Sequence, residues 1–502
     1  MKERCYLAVD LGAESGRVMA GLWNGTSLRV EELHRFPNGP VDVRGTLRWD
    51  LLRLWSEILT GLGVAHKKYG DAIDSIGVDG WGLDYVLMSK SDEMLGLPFC
   101  YRDRRTEGLV EEICSLVGKD EIFARTGTQF MEINTLCQWL IHFRRSPEIF
   151  AAADCLLMIP DWINWALSGK KAVEFTNATT TQFYDPEKRG WSLDLLSRLG
   201  LPSGILPSLI SPGTDLGKLL GEVREKTGLG PIRVIAPATH DTGSAVVGVP
   251  ASRSEGRGPN WAYISSGTWS LVGVEIEAPL LSRRAMELNF TNEGGIDRTF
   301  RLLKNVMGLW LLQKLRARLD EAGSHHAYGD LVGLAAAAEP FRSLIDPDDH
   351  SFLNPRDMVQ AIQTFCTMTN QPVPDTASRL ARCILESLAL KYSVVLDSIE
   401  ELTGTKIETV HIVSGGSRNQ LLNSFTASAC NRPVIAGPVE ATAIGNILVQ
   451  ARACGALGTG QIHEVVRNSC DLHIFEPQPS ESASWENARG KFREFLDWWY
   501  RV

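Results

Sequence analysis

What this sequence lacks excludes several kinds of protein. It has no apolar stretch near the ~20 residues that a membrane-crossing helix needs, so no membrane partner is expected. It lacks a basic excess: 51 Lys and Arg stand against 60 Asp and Glu, a net charge of −9. A general nucleic-acid binder carries the opposite balance. Its cysteines, at 5, 100, 114, 137, 155, 366, 383, 430, 454 and 470, include no CxxC pair. That argues against a zinc site and fits reduced thiols. Cys366 and Cys383 flank a proline-containing loop, and their pairing is left open. Met1 to Arg4 are charged, but the apolar run behind them covers only Cys5 to Val9 and ends at Asp10. No secretory signal has so short a core, so the expected location is the cytoplasm. GxxxxGK[ST] is absent, which excludes a Walker A loop.

What is present is a chain of 502 residues, 44% hydrophobic and 22% charged. That length fits two large domains better than one core. Two similar segments lie about half a chain apart. The first runs Leu7-Ala8-Val9-Asp10-Leu11-Gly12-Ala13-Glu14-Ser15-Gly16-Arg17-Val18-Met19-Ala20, the second Ala262-Tyr263-Ile264-Ser265-Ser266-Gly267-Thr268-Trp269-Ser270-Leu271-Val272-Gly273. Each reads as an apolar strand, a turn of glycine and small hydroxyl residues, then a second strand. Such a turn offers several backbone N–H groups to a phosphate. Two of them point to a nucleotide-dependent phosphotransferase, with each domain contributing one turn. The expected division is 1–250 and 251–502, with the boundary in the loop at 249–260.

The pattern along the chain is α/β. Residues 5–36 read as an antiparallel sheet with a hairpin at Asn24-Gly25. Asp50 is a plausible N-cap for a helix through Leu51, Leu54 and Ile58. Buried strands are expected at Asp74–Asp79, Arg233–Ala236 and Val410–Val413, and helices near 306–320 and 376–403, the latter stopped by Gly404. The aromatic segment Phe495–Tyr500 reads as a docked helix.

The candidate site residues follow strand ends. Asp10 suits a hydrated Mg²⁺, which keeps its waters and takes few carboxylates. Ala13, Glu14, Ser15, Gly16 and Arg17 form the first turn; Glu14 cannot donate to a phosphate. Thr268 in the second turn can donate both hydroxyl and N–H. Asp241, in Thr239-His240-Asp241-Thr242, can take the proton of an attacking hydroxyl; on the residues alone the plainer reading is that it, or a neighbouring Thr, caps the helix that follows. His240 can bond a sugar hydroxyl or simply pack. Gly80-Trp81-Gly82-Leu83-Asp84 offers a ring for a sugar face, room at Gly82, and an acceptor at Asp84. Gly415-Gly416, between a strand and a helix, suits a ribose or base.

The ordered phrases DLGAESGR, DGWGLD, YRDRRT, THDT, ISSGTWSLVG, LKNVMGLWLLQ and VSGGSRN resemble the FGGY carbohydrate kinases, from about residue 5 to about residue 475. Met158-Ile159-Pro160-Asp161, the segment Glu174 to Gln182, and Ala436 to Ala441 are most similar to the subgroup acting on L-rhamnulose. The resemblance implies an α/β, two-domain actin/hexokinase-like (ribonuclease H-like) ATPase fold with a central interdomain cleft. It implies ATP- and Mg²⁺-dependent phosphorylation of L-rhamnulose at O1, in L-rhamnose catabolism, by a monomer or homodimer. Asp241 would be the proton acceptor. Gly82, His240, Asp241, Thr242 and Asn305 would line the sugar. Ala13 to Arg17, Thr268, Gln313 and Gly416 would hold ATP, and Asp10 would face the metal. The loop Ser252 to Asn260 is longer than the compact link expected there.

Two rivals are weighed. A sister kinase for L-fuculose or a pentulose would keep the same base. A non-catalytic actin-like ATP binder or sugar sensor would bind ATP without consuming it with any ketose; a sensor would usually add a basic DNA-binding module, which this chain lacks.

Overall fold

The computed structural model describes residues 3–251, 259–458 and 460–499. The link expected to be long, Ser252 to Asn260, falls mostly outside them. The chain forms two compact units, neither continuous in sequence. The first comprises Met1–Ser252, Glu275–Leu302 and Glu440–Cys470; the second comprises Arg253–Val274, Leu303–Val439 and Asp471–Val502.

The first unit is built on a six-stranded sheet in the order Thr214–Lys218, Arg233–Ala236, Ile73–Gly80, Arg4–Leu11, Ser15–Trp23, Leu28–Pro37. The antiparallel part expected at 5–36 is there, with Leu11 opposite Gly16 and Trp23 opposite Leu28 across the Asn24-Gly25 turn. It continues into parallel partners: Ile73–Gly80 pairs with both Arg4–Leu11 and Arg233–Ala236. Strands buried on both faces read as continuous apolar runs, and Tyr6 to Val9 are wholly buried. On one side Tyr6 and Ala8 pack with Ile444, Ile447 and Leu448 of the helix Ala441–Ala453. The helix Leu51–Tyr69 also packs on this sheet; Asp50 caps it by accepting from the Arg53 N–H at 3.1 Å. A separate core forms around Trp139, whose ring meets Phe150 edge-on at 4.8 Å.

Three parallel strands therefore bring their C-terminal ends to one edge. Asp10 lies opposite Asp79, and Gly80 bridges to His240. In open α/β sheets ligands bind at that edge. The helix Asp241–Val247 then leaves the edge and lies against Ala441–Ala453. The approach is so close that a Cβ on Gly445 would sit 1.9 Å from the Ser244 carbonyl oxygen.

The second unit carries a sheet in which Trp261–Ser266 pairs antiparallel with Trp269–Ile276 and parallel with Thr409–Val413. The second strand–turn–strand segment is thus a hairpin like the first. The helix Ala377–Thr403 is capped by Thr376 and ended by Gly404 at φ 68°, as its sequence predicts. The helix expected near 306–320 starts later, at Trp310, because Phe300–Met307 is a strand. Gly308 ends that strand: its N–H bonds the Thr268 carbonyl at 3.1 Å, and a Cβ there would meet the Trp269 backbone at 2.6 Å. The C-terminal helix Ser482–Trp499 docks through buried Phe492 and through Phe495, 5.7 Å from the Phe365 ring.

Gly445→Ala forces backbone against backbone and is expected to cost about 1–3 kcal/mol, the usual range for overpacking. Gly63→Ala, with nothing within 4 Å of the new Cβ, is expected to gain about 0.5–1 kcal/mol. Urea unfolding of both variants checks the contrast.

Candidate active site

Asp241 stands just past a strand end, with its side chain 30% exposed. Its Oδ1 accepts from the Thr242 N–H at 2.5 Å and the Thr242 hydroxyl at 3.1 Å, and lies 3.5 Å from His240 Nε2. All three contacts fall on Oδ1, which leaves Oδ2 for an incoming hydroxyl. Burial raises the Asp241 pKa, with His240 opposing and Asp10 assisting. A carboxylate so raised is a better base for an alcohol proton.

The loop that presents it is held by a residue the motif reading passed over. Glu174, fully buried, accepts through Oε2 from the Thr239 N–H at 2.8 Å, the Thr239 hydroxyl at 3.0 Å and the Thr176 hydroxyl at 2.5 Å. Its Oε1 takes the Thr176 N–H at 3.0 Å. The Thr176 hydroxyl then accepts from the His240 N–H at 3.1 Å. Glu174 lies in the quoted segment Glu174 to Gln182, so the sequence held the signal without its meaning.

The first turn is braced by Asn38, which donates its side-chain N–H to the Gly12 carbonyl at 2.7 Å and its backbone N–H to Glu14 at 2.8 Å. Glu14 itself is exposed. Gly16 is required sterically, since a Cβ would strike the Phe36 ring at 2.2 Å. Arg17 faces the sheet edge and pairs with Asp10 and Glu440. Burial works against its charge, but these two carboxylates outweigh it and raise its pKa. Beside Asp10, the buried Asp79 accepts from the Asn446 amide at 2.5 Å through Oδ2, while its Oδ1 has no hydrogen-bond partner among the described residues. Burial and then the Asp10 charge push the Asp79 pKa well up. An unpartnered carboxylate oxygen beside a second carboxylate fits a hydrated divalent cation.

At the Gly80–Asp84 segment the structure revises one expectation. Asp84 is wholly buried and cannot serve a sugar: Oδ2 accepts from Trp49 Nε1 at 2.6 Å, Trp81 Nε1 at 3.1 Å and the Tyr101 N–H at 3.2 Å. Its Oδ1 takes the Gln138 amide at 2.9 Å. Asp84 is the internal anchor that turns both indoles inward. The Cβ side of Gly82 is filled by Thr180, 2.9 Å from where that atom would lie. Thr180 in turn accepts from the Leu83 N–H at 3.1 Å.

In the second unit the candidates for the nucleotide converge. The Thr268 carbonyl accepts from the Trp310 N–H at 3.2 Å, and the Gly267 carbonyl from the Leu309 N–H at 2.9 Å. This stitches the hairpin turn to the helix that carries Gln313. Gly416 packs on the same hairpin, since a Cβ would lie 2.0 Å from Ser266 Oγ. Half-buried Asn305 follows Lys304 on the strand Phe300–Met307. Burial and the neighbouring Lys391 ammonium lower Lys304 to about 8. Lys391 pairs with Asp346 at 2.7 Å and Asp348 at 3.0 Å. Among the described residues no cluster of three or more metal-ligating side chains occurs.

Residues 5–248 match the N-terminal domain, and residues 262–454 the C-terminal domain, of the FGGY family of carbohydrate kinases. The chain belongs to that family. It is 44% identical over 490 residues to a rhamnulokinase of Bacteroides thetaiotaomicron, covering 97% of this chain and 98% of the relative. It is 43% identical over 481 residues to a rhamnulokinase of Pectobacterium carotovorum, covering 95% and 94%. Among solved structures, a gluconate kinase from Lactobacillus acidophilus is similar in fold, with a TM-score of 0.81 at 15% identity over 99% of this chain and 98% of that one. A Plasmodium falciparum glycerol kinase with ADP reaches a TM-score of 0.76 at 15% identity over 98% of each chain. The α/β two-domain kinase fold expected from the motifs is the one found, and the chain is a sugar kinase by family.

Burial raises the Asp84 pKa from 3.8 to about 6 against four opposing hydrogen bonds. A carboxyl with a raised folded pKa binds its proton more tightly when folded. Its contribution to stability is therefore greatest at acid pH and falls as pH rises from about 4 to about 6, by roughly 3 kcal/mol, then stays level. Denaturant unfolding of wild type and Asp84→Asn across that window checks this: wild-type stability minus that of the variant should fall as pH rises from about 4 to about 6, and a flat difference would show that Asp84 does not carry the slope.

Proposed function

We propose that this chain transfers the γ-phosphoryl group of ATP to O1 of L-rhamnulose, giving L-rhamnulose 1-phosphate and ADP. The observation that carries the reading is Asp241, with Oδ1 fixed by Thr242 and Oδ2 left open. The substrate choice rests on full-length relatives named as rhamnulokinases.

In this reading Asp241 takes the O1 proton as O1 bonds to the γ-phosphorus and the bond to the β-bridging oxygen breaks. Gly82 through its backbone, with His240, Thr242 and Asn305, holds the ketose. Ala13 to Arg17, Thr268, Gln313 and Gly416 hold ATP. In this reading residues 1–250 supply the base, most of the sugar contacts and the first phosphate turn, and residues 251–502 supply the rest of the nucleotide site together with Asn305. Asp10, with Asp79, would hold a hydrated Mg²⁺, whose charge offsets that of the transferring phosphoryl group. Positioning and charge stabilisation carry most of the rate in such transfers. All ten cysteines are free thiols, and no helix among the described residues is long and apolar enough to cross a membrane. The free thiols fit an enzyme working in the cytoplasm, where ATP is supplied.

ADP release measured across a panel of ketoses tests the substrate: L-rhamnulose should give the highest kcat/KM. A higher value with L-fuculose or a pentulose would reassign the acceptor. Asp241→Asn should bind ATP and ketose normally yet lose about 10²–10⁴-fold in kcat, the range for general-base catalysis. Near-normal turnover in that variant would remove Asp241 from the role.

A further inference from the structure

His240 has two ring nitrogens in different company. Nε2 faces Asp241 Oδ1 at 3.5 Å. Nδ1 lies 3.1 Å from Arg301 Nη2 and 3.1 Å from Glu293 Oε2. Which neighbour Nδ1 serves decides what Nε2 can do, because a neutral imidazole has one donor nitrogen and one acceptor. Such assignments are made from the hydrogen-bond network, and here the network is asymmetric. The Arg301 Nη2–H is aligned on Nδ1, whereas Glu293 Oε2 receives no aligned hydrogen bond despite lying 3.0 Å from Arg301 Nη2.

Arg301 is built to hold that position. It is 0% exposed, and its Nε donates to the Gly294 carbonyl at 2.8 Å. The Gly294 N–H in turn donates to the Thr179 hydroxyl at 2.7 Å. A guanidinium has donors only and does not lose its proton in proteins. Nδ1 accepts from Arg301 when it is bare, and Glu293, with Oε2 3.1 Å from Nδ1 and 3.0 Å from Arg301 Nη2, balances the buried charge.

We propose that Arg301 is a positioning residue that fixes His240 as the neutral Nε2–H tautomer, so that its single Nε2–H is offered to a ketose oxygen beside Asp241. The sugar contact rests on the kinase reading above; the tautomer does not. With Nε2–H as a donor, the ring presents its one N–H to a sugar oxygen next to the carboxylate that must accept a proton. With Nδ1–H instead, an Nε2 lone pair would face the Asp241 carboxylate. Arg301 lies in the fully buried first half of the strand Phe300–Met307, between Phe300 and Leu302, and a charged residue at a buried strand position is the sequence signal of its task.

Protein labelled with ¹⁵N-histidine, at neutral pH and without substrates, gives the answer from two-bond ¹H–¹⁵N spectra. Loss of one ring pattern in His240→Gln assigns the signal. The expected pattern is a bare Nδ1 and a protonated Nε2; an Nδ1–H pattern or a doubly protonated ring would overturn the proposal. Arg301→Met should switch the ring to Nδ1–H, now donating to Glu293, and an unchanged tautomer would overturn the role of Arg301. Glu293→Gln, which keeps the Arg301 contact, should leave the pattern as it is; a switch there would equally overturn it. In turnover, Arg301→Met should raise KM for the ketose about tenfold or more, the effect of losing a hydrogen bond to a charged or partly charged partner, with KM for ATP unchanged. Arg301→Lys should recover part of it. Equal rises in both KM values would mark Arg301 as merely structural. Failure to turn over any ketose would instead count against the kinase reading and leave the spectra to decide the tautomer.

Discussion

The first unit depends on one buried carboxylate. Glu174 collects four hydrogen bonds from Thr176 and Thr239 and so ties two segments 65 residues apart to one point. Burial raises its pKa, and these four donors work against that rise. Buried polar groups fully supplied with partners specify a unique arrangement, whereas a half-supplied one destabilises the fold. Thr176 passes the constraint to the His240 N–H, and the Gly80 N–H bonds the Thr239 carbonyl at 2.9 Å. The position of Asp241 is thus set by backbone and threonine contacts outside its own helix.

A second polar thread runs beneath the same edge. Ser75 donates to Gln450, Gln450 donates to the Leu7 carbonyl and to Asn446, and Asn446 donates to Asp79. It locks the helix Ala441–Ala453 in register with two strands, so that Asp79 ends up beside Asp10 with one oxygen unsatisfied. The same helix accepts the close approach of Asp241–Val247 at Gly445 and carries Glu440, the partner of Arg17, at its start. One helix therefore fixes the helix of the base, the paired carboxylates and the arginine of the first turn.

Much of this was legible in the residues. The two hairpins, the capped helix after Asp50, the long helix stopped at Gly404 and the strand before Asp241 all carry local signals that tertiary packing did not override. What stayed hidden is contact information. Asp84 looks like a ligand acceptor because it follows an aromatic residue at a strand end; only the structure shows Trp49 and Tyr101 arriving from elsewhere in the chain to saturate it. Gly82 reads as space for a ligand, yet its open side is taken by Thr180. The start of the helix at Trp310 was misjudged because an apolar strand and an apolar helix face look alike over a few residues. Arg301 and Glu293 come from a segment that no motif covers, and their meeting with His240 is visible only in three dimensions.

The account turns on whether Asp241 addresses the reacting hydroxyl. A crystal structure of the wild-type protein with L-rhamnulose bound measures this directly. The account predicts the ketose O1 within hydrogen-bond distance of Asp241 Oδ2, roughly 2.6–3.2 Å as general-base geometry requires, with Oδ1 still held by Thr242. An O1 directed away from Asp241 toward another side chain, with Asp241 left as a helix cap, would contradict it.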